Sequence, residues 1–150
     1  MCGSKSSVKC FDIEKQYNTG SLANDYANKS EENLQNDIGR IFLKEQIAKL
    51  PKDSQILDVG CGNALDLKSY YDMGFTALSG IDPTEKFLKE AQNMLGNKVN
   101  FKVGTFESIP FDSGSIDVIT SRFALHYSKD INISTKEVSR VLKPGGKFLA

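Results

Sequence analysis

The chain has 150 residues, of which 39% are hydrophobic and 25% are charged, which fits one globular domain rather than a disordered or fibrous chain. The nineteen basic and nineteen acidic residues cancel, so the charge predicts no nucleic-acid partner and no anionic membrane partner. The apolar runs are too short to span a bilayer and the first ten residues lack a signal-peptide core, which predicts a cytoplasmic protein.

The predicted elements alternate between helices and strands. Residues 1–30 are polar and predict a flexible N-terminal arm or lid before a domain over residues 31–150. Ser30 can cap a helix, and apolar residues then recur at helical spacing up to Pro51, which predicts a helix over 31–50. The later predicted elements are strand 55–59, helix 63–73, strand 76–81, helix 84–95, strands 99–103 and 115–120, helix 131–142 and a strand opening at Lys147. This order predicts an α/β fold with a doubly wound, mainly parallel sheet and a ligand crevice at the carboxyl ends of its strands.

A glycine turn follows the first predicted strand. Gly60 and Gly62 have no Cβ, so the chain can turn sharply there and a ligand can approach the backbone, while the N–H groups of the next helix start favour an anion. Asp82 ends the second strand, where a carboxylate can accept the hydroxyls of a ribose. Because Pro83 follows, Asp82 could instead cap the next helix.

Two kinds of nucleotide cofactor use such a unit, and the third glycine position separates them. In the dinucleotide pattern G-x-G-x-x-G the third glycine lets the helix pack closely against the strand. Leu65 stands at that position here. The departure makes an NAD-type oxidoreductase the less favoured interpretation.

Five ordered stretches resemble the motifs of the class I S-adenosylmethionine-dependent methyltransferases. They are ILDVGCGNALDL at 56–67, SGIDP at 79–83, VGTFESIPF at 103–111, SIDVITS at 115–121 and RVLKPGGK at 140–147. The wording SIPF at 108–111 and FALHY at 123–127 is similar to the small-molecule branch that includes quinone-biosynthesis enzymes. The resemblance implies a Rossmann-like sheet, S-adenosyl-L-methionine as cofactor, and in-line methyl transfer to a small-molecule acceptor that the sequence does not identify.

The resemblance also implies which residues bind the cofactor. They are Asp58, Gly60, Cys61, Gly62, Asp82, Pro83, Thr105, Phe106 and Ser121. Asp58 would face the ammonium group of the methionine part, which the glycine turn lines, and Asp82 would bind the ribose next to an adenine touched by Pro83. Thr105 stands where the family often has an aspartate that accepts from the adenine amine, so this chain would hold the base less firmly, with help from the backbone of Phe106.

The acceptor side of the implied site follows the fourth strand. Arg122, Phe123 and Tyr127 are expected to bind substrate, and His126 is the candidate general base for an acceptor that carries a proton at neutral pH. His126 is the only histidine, and Cys2, Cys10 and Cys61 form no C-x-x-C pair, which predicts reduced thiols and no metal site. Cys61 is more simply a small filler residue.

A module that binds the cofactor without transferring a methyl group stays open as an alternative. The family's sheet has seven strands, whereas the fifth opens here at Lys147. The sequence therefore predicts a truncated product, incomplete at the C-terminus, that self-associates through an exposed sheet edge and has little methyl transfer activity.

Overall fold

The computed structural model describes residues 37–150. Five parallel strands form one sheet in the order β3-β2-β1-β4-β5. The strands are β1 (Ile56–Val59), β2 (Leu78–Asp82), β3 (Val99–Val103), β4 (Ile116–Thr120) and β5 (Leu142–Leu149). The chain runs outward from β1 to β3 and then returns to β4 on the other side of β1. Because the order reverses there, the crevice for a ligand lies at the carboxyl ends of β1 and β4.

Helices cover both faces of the sheet. They are α1 (Ile38–Ala48), α2 (Leu65–Asp72), α3 (Glu85–Leu95) and α4 (Ile131–Val141), with 3-10 turns at Gly96–Lys98 and Leu125–Tyr127. One apolar cluster joins α1, α2 and α3 to the sheet, and a second joins α4 and the segment 106–111 to it. All four side chains of β1 are buried, as expected of a parallel strand with helices on both faces. The predicted doubly wound α/β sheet is confirmed.

Two predicted elements need correction. Asp37 is extended, with φ −63° and ψ 126°, and its carboxylate accepts a hydrogen bond from Arg40 N, so α1 begins at Ile38 and the predicted continuous helix over 31–50 is wrong at Asp37. The predicted start of that helix and the predicted arm at 1–30 lie outside the described residues. β5 begins at Leu142 rather than Lys147 because Leu142 already pairs with Ile116, and residues 143–146 then form a bulge.

Among the described residues, no helix combines the length and the apolarity that a membrane crossing needs.

Candidate functional site

The glycine turn is fixed to the end of β2 through its backbone. Gly60 N and Cys61 N both donate to Ile81 O, at 2.8 and 3.0 Å. Gly60 and Gly62 have φ of +74° and +54°, in the left-handed region that glycine enters without a steric penalty. A Cβ at Gly62 would meet no atom within 4 Å, so this side of the turn is open to a ligand.

Asp82 ties the glycine turn to the start of α3. Its Oδ2 accepts from Gly62 N at 2.9 Å and its Oδ1 accepts from Thr84 N at 2.8 Å. Burial raises the pKa of the Asp82 carboxyl, and the bonds from Thr84 and Gly62 offset part of that rise. The N-cap position of α3 belongs to Thr84. The anion at the glycine turn is therefore the chain's own carboxylate.

Asp58 lies buried at the end of β1. Thr120 Oγ1 donates to Asp58 Oδ1 at 2.9 Å. Burial raises the pKa of the Asp58 carboxyl well above its usual range, and the nearby carboxylate of Asp66 raises it further, against the lowering effects of Thr120 and Arg122. A cation placed beside Asp58 would favour its ionised form.

Four charged side chains behind the turn form a network that the sequence analysis missed. Arg40 Nε pairs with Asp66 Oδ1 at 2.5 Å. Arg122 pairs through Nε with Asp66 Oδ2 and through Nη1 with Asp37 Oδ1, each of these two at 2.9 Å. Arg40 Nη1 is buried with no hydrogen-bond partner within residues 37–150. These partners lie 26, 56 and 85 positions apart in sequence, so no local pattern signals the network.

The loop after β4 packs against the glycine turn. Ser121 Oγ donates to Val59 O at 2.8 Å. The hydroxyl of the predicted cofactor residue Ser121 therefore links the end of β4 to β1. A Cβ at Gly60 would lie 2.3 Å from Ala124 Cβ. Gly60 is therefore required for this approach as well as for the turn.

The predicted adenine segment crosses the face of the sheet that α4 covers. Thr105 and Ser108 exchange backbone hydrogen bonds at 3.2 Å, and the Phe106 side chain is buried, edge-on to Phe148 with ring centroids 6.2 Å apart. Only the backbone of Phe106 is thus left for a ligand. Further along, Arg140 donates to Ile109 O and Phe111 O, each at 2.9 Å, and anchors the segment to α4.

The Cys61 side chain is buried and lies close to Gly80 of β2. Its Sγ lies 2.9 Å from the position of a Cβ at Gly80. Burial raises the pKa of its thiol well above the usual value, as do the carboxylates of Asp58 and Asp82 to a smaller degree. The predicted cofactor contact of Cys61 stays a prediction.

An apolar pocket of about 510 Å³ opens beside the loop after β4. It is lined by Ser121, Phe123, Ala124, Leu125, His126, Ile131 and Ala150. Phe123 is 68% exposed, and the rings of His126 and Tyr127 lie 4.0 Å apart. The predicted acceptor residues Phe123 and His126 thus meet at one pocket, whereas the Arg122 guanidinium is engaged in the ion pairs behind the turn.

Comparison with known proteins assigns the family. A family model described as a methyltransferase domain matches residues 57–150. The chain belongs to the class I S-adenosylmethionine-dependent methyltransferases. The matched residues include the glycine turn, Asp82 and the loop after β4.

Two curated methyltransferases illustrate the relationship. The chain is 35% identical over 114 residues to the uncharacterized methyltransferase YcgJ of Bacillus subtilis (strain 168), covering 71% of this chain and 44% of the relative. It is 35% identical over 152 residues to the ubiquinone/menaquinone biosynthesis C-methyltransferase UbiE of Rickettsia bellii (strain OSU 85-389), covering 91% of this chain and 60% of the relative. The chain spans about half the length of these methyltransferases.

Solved methyltransferase structures share the fold. The crystal structure of YcgJ aligns with a TM-score of 0.67 and 29% identity, covering 73% of this chain and 48% of that chain. Geranyl diphosphate C-methyltransferase from Streptomyces coelicolor A3(2), solved with Mg²⁺, geranyl diphosphate and S-adenosyl-L-homocysteine, aligns with a TM-score of 0.64 and 20% identity, covering 73% of this chain and 41% of that chain. At 20% identity the second likeness concerns the fold alone.

Proposed function

We propose that this chain carries the S-adenosylmethionine site of an enzyme that transfers a methyl group to a small, largely apolar acceptor by in-line displacement. The cofactor supplies an activated methyl group when bound. The protein's part is then to bind, orient and desolvate the donor and the acceptor. The observation that carries the proposal is the placement of Asp82 beside the open side of Gly62.

Asp82 fits a ribose. A carboxylate offers about four acceptor positions, and the two backbone N–H donors of Gly62 and Thr84 occupy one on each oxygen. The Thr84 side chain also hydrogen-bonds this carboxylate, which leaves about one acceptor position for a ribose hydroxyl. The two backbone bonds also hold the carboxylate in one orientation before any ligand arrives, which lowers the cost of ordering it on binding.

Asp58 fits the cationic end of the same cofactor. Burial raises the pKa of this carboxyl, and an ammonium group beside it would favour the ionised form and make a charge-assisted hydrogen bond with it. The backbone of Gly60 and Cys61 would line the methionine part. At the other end, Pro83 and Thr105 would contact the adenine.

The acceptor side favours an apolar molecule. The pocket beside the loop after β4 is lined mainly by Phe123, Leu125, Ile131 and other apolar groups, and one relative is a ubiquinone/menaquinone C-methyltransferase. Reduced benzoquinone and naphthoquinone analogues are therefore the first acceptors to assay, with S-adenosyl-L-homocysteine formation as the readout. His126 at the pocket would serve as general base for an acceptor that carries a proton at neutral pH. Turnover confined to strongly hydrophilic acceptors would contradict the assignment.

Asp82→Asn tests the cofactor assignment. An asparagine keeps one carbonyl oxygen and loses the charge, so a contact to the ribose should lose about 1.5 to 3 kcal/mol, which is roughly a ten- to hundred-fold loss of S-adenosyl-L-homocysteine affinity. Asp117→Asn is the matched control, because Asp117 Oδ2 also accepts a backbone N–H, from Gln55 at 2.7 Å, but at the other end of the sheet. This control should bind as the unchanged protein does.

An analogue of the ligand without its two ribose hydroxyls separates a direct contact from a disturbed turn. If Asp82 binds the hydroxyls, the analogue should bind the unchanged protein and Asp82→Asn almost equally. If the substitution only disturbs the glycine turn, both ligands should lose affinity by the same factor, and the ribose assignment fails.

A further inference from the structure

The loop of residues 121–124 is held at both ends. Ser121 Oγ donates to Val59 O and Ser121 N donates to Leu149 O, at 2.8 and 2.9 Å. At the other end, the position of a Cβ at Gly60 lies 2.3 Å from Ala124 Cβ. The loop is thus packed directly onto the first glycine of the turn.

Arg122 joins this loop to two helices. Its side chain is 10% exposed, and its guanidinium pairs with Asp66 Oδ2 and Asp37 Oδ1, each at 2.9 Å. Asp66 lies in the first turn of α2, directly after the glycine turn, and Asp37 caps α1. Arg122 Cζ also lies 5.3 Å from the centre of the Phe123 ring, within reach of a cation–π interaction. An arginine fork can hold two carboxylates in fixed directions, which the point charge of a lysine cannot.

Phe123 shows that the loop is under constraint. Its φ is +55°, in the left-handed region that a non-glycine residue enters only with steric strain. Such a conformation persists only where the surroundings impose it. Here the imposed conformation leaves the Phe123 ring 68% exposed at the rim of the pocket.

We propose that Arg122 is a positioning residue of the cofactor site, which fixes the loop 121–124 onto α2 and so keeps Ala124 against Gly60 and Phe123 at the pocket rim. The inference rests on the proposed function. It differs from a direct contact with the acceptor, because the guanidinium acts through Asp66 and Asp37. The exposed position of Phe123 at the pocket rim follows from the backbone conformation that Arg122 helps to impose.

The carboxyl of Asp58 gives this role a distinct pH readout. It faces Asp66 and Tyr70 of α2, Thr120 and Arg122 at the end of β4, Cys61 of the glycine turn and Asp82 of β2. The charge of Arg122 lowers the pKa of Asp58. If the ionised carboxylate binds the ammonium group, affinity falls as the pH drops through that pKa. Loss of the Arg122 charge then moves the fall to higher pH.

The test compares Arg122→Met, Arg122→Lys and Asp37→Asn by calorimetric titration with S-adenosyl-L-homocysteine across the pH range, together with thermal unfolding. Arg122→Met removes both charge-assisted pairs and should weaken binding roughly ten- to hundred-fold, with the acid fall moved to higher pH. Arg122→Lys should keep the position of that fall and recover part of the affinity. Lys143→Met is the control, because it removes the Lys143 Nζ–Asp117 Oδ1 pair, which is 2.9 Å long and remote from the crevice. This control should change neither the affinity nor the pH at which the affinity falls.

Each outcome decides the inference. Unchanged affinity in folded Arg122→Met overturns it, and so does a loss that is equal at every pH and parallels the loss of melting temperature. If Arg122→Met does not fold, Arg122→Lys and Asp37→Asn carry the test: both should weaken binding at a near-normal melting temperature, and unchanged affinity in both overturns the inference. Absence of binding by the unchanged protein removes the proposed function itself.

Discussion

Gly60→Ala is the substitution whose effect the structure defines most sharply. The added Cβ would lie 2.3 Å from Ala124 Cβ, whereas carbon atoms in contact stay about 3.5 to 4.0 Å apart. Overpacking of this kind costs about 1 to 3 kcal/mol. The φ of +74° at Gly60 adds about 1 to 2 kcal/mol for a residue with a side chain. The free energy of unfolding should therefore fall by about 2 to 5 kcal/mol.

Two further variants separate the steric effect from the backbone effect. Gly62→Ala meets no atom within 4 Å at a φ of +54°, so it should lose only the backbone contribution of about 1 to 2 kcal/mol. Ala124→Gly removes the clashing methyl group, so in the Gly60→Ala background it should restore about 1 to 3 kcal/mol. Urea unfolding of the unchanged protein, the three single variants and the Gly60→Ala/Ala124→Gly double variant measures these differences. Strictly additive effects of Gly60→Ala and Ala124→Gly, or equal effects of the two alanine substitutions, would refute the reasoning.

Three further substitutions have defined outcomes. Asp58→Asn removes a carboxyl whose pKa is raised by burial. In the unchanged protein, the folded state keeps a proton on Asp58 that the unfolded state releases above about pH 3.9. The stability of the unchanged protein therefore falls as the pH rises from there through the raised pKa. The stability of the variant relative to the unchanged protein should therefore increase as the pH rises from about 3.9 toward the raised pKa, and an equal pH dependence of the unfolding free energy in the two proteins, measured by urea unfolding, would contradict this. Thr105→Asp supplies a charged acceptor for the adenine amine and should tighten S-adenosyl-L-homocysteine binding by up to about tenfold in calorimetry; weaker binding without lower stability would mean that the adenine is held elsewhere. Arg140→Met removes the donors that hold segment 109–111 and should lower the free energy of unfolding by about 1 to 2 kcal/mol, against less than about 1 for the surface pair lost in Lys143→Met. Equal losses in these two variants would contradict the anchoring role.

The sequence predicts the sheet well because its signals are local. The apolar run before Gly60, the carboxylate at Asp82 and the alternation of strands and helices each act within a few residues, and the structure places them as expected. The start of α1 is harder to predict from sequence. Ser30 offered a plausible cap, but Asp37 adopts the extended conformation and caps α1 itself.

The ion-pair network behind the glycine turn could not be predicted from local sequence patterns. Arg122 stands in sequence beside predicted substrate residues, yet its side chain turns to Asp66 and Asp37, which come from two distant helices. Likewise the Ser121 hydroxyl donates to Val59 O, and the Phe106 ring packs in the core against Phe148. Position along the chain predicts which backbone reaches the crevice, whereas three-dimensional packing decides which side chains do.

Calorimetric titration of the purified chain with S-adenosyl-L-homocysteine and, separately, with NAD tests the central claim most directly. The arrangement of Asp82, Gly62 and Asp58 predicts saturable binding of S-adenosyl-L-homocysteine at one site per chain, no binding of NAD, and a roughly ten- to hundred-fold weaker affinity in Asp82→Asn. Binding of NAD with no binding of S-adenosyl-L-homocysteine would contradict the account.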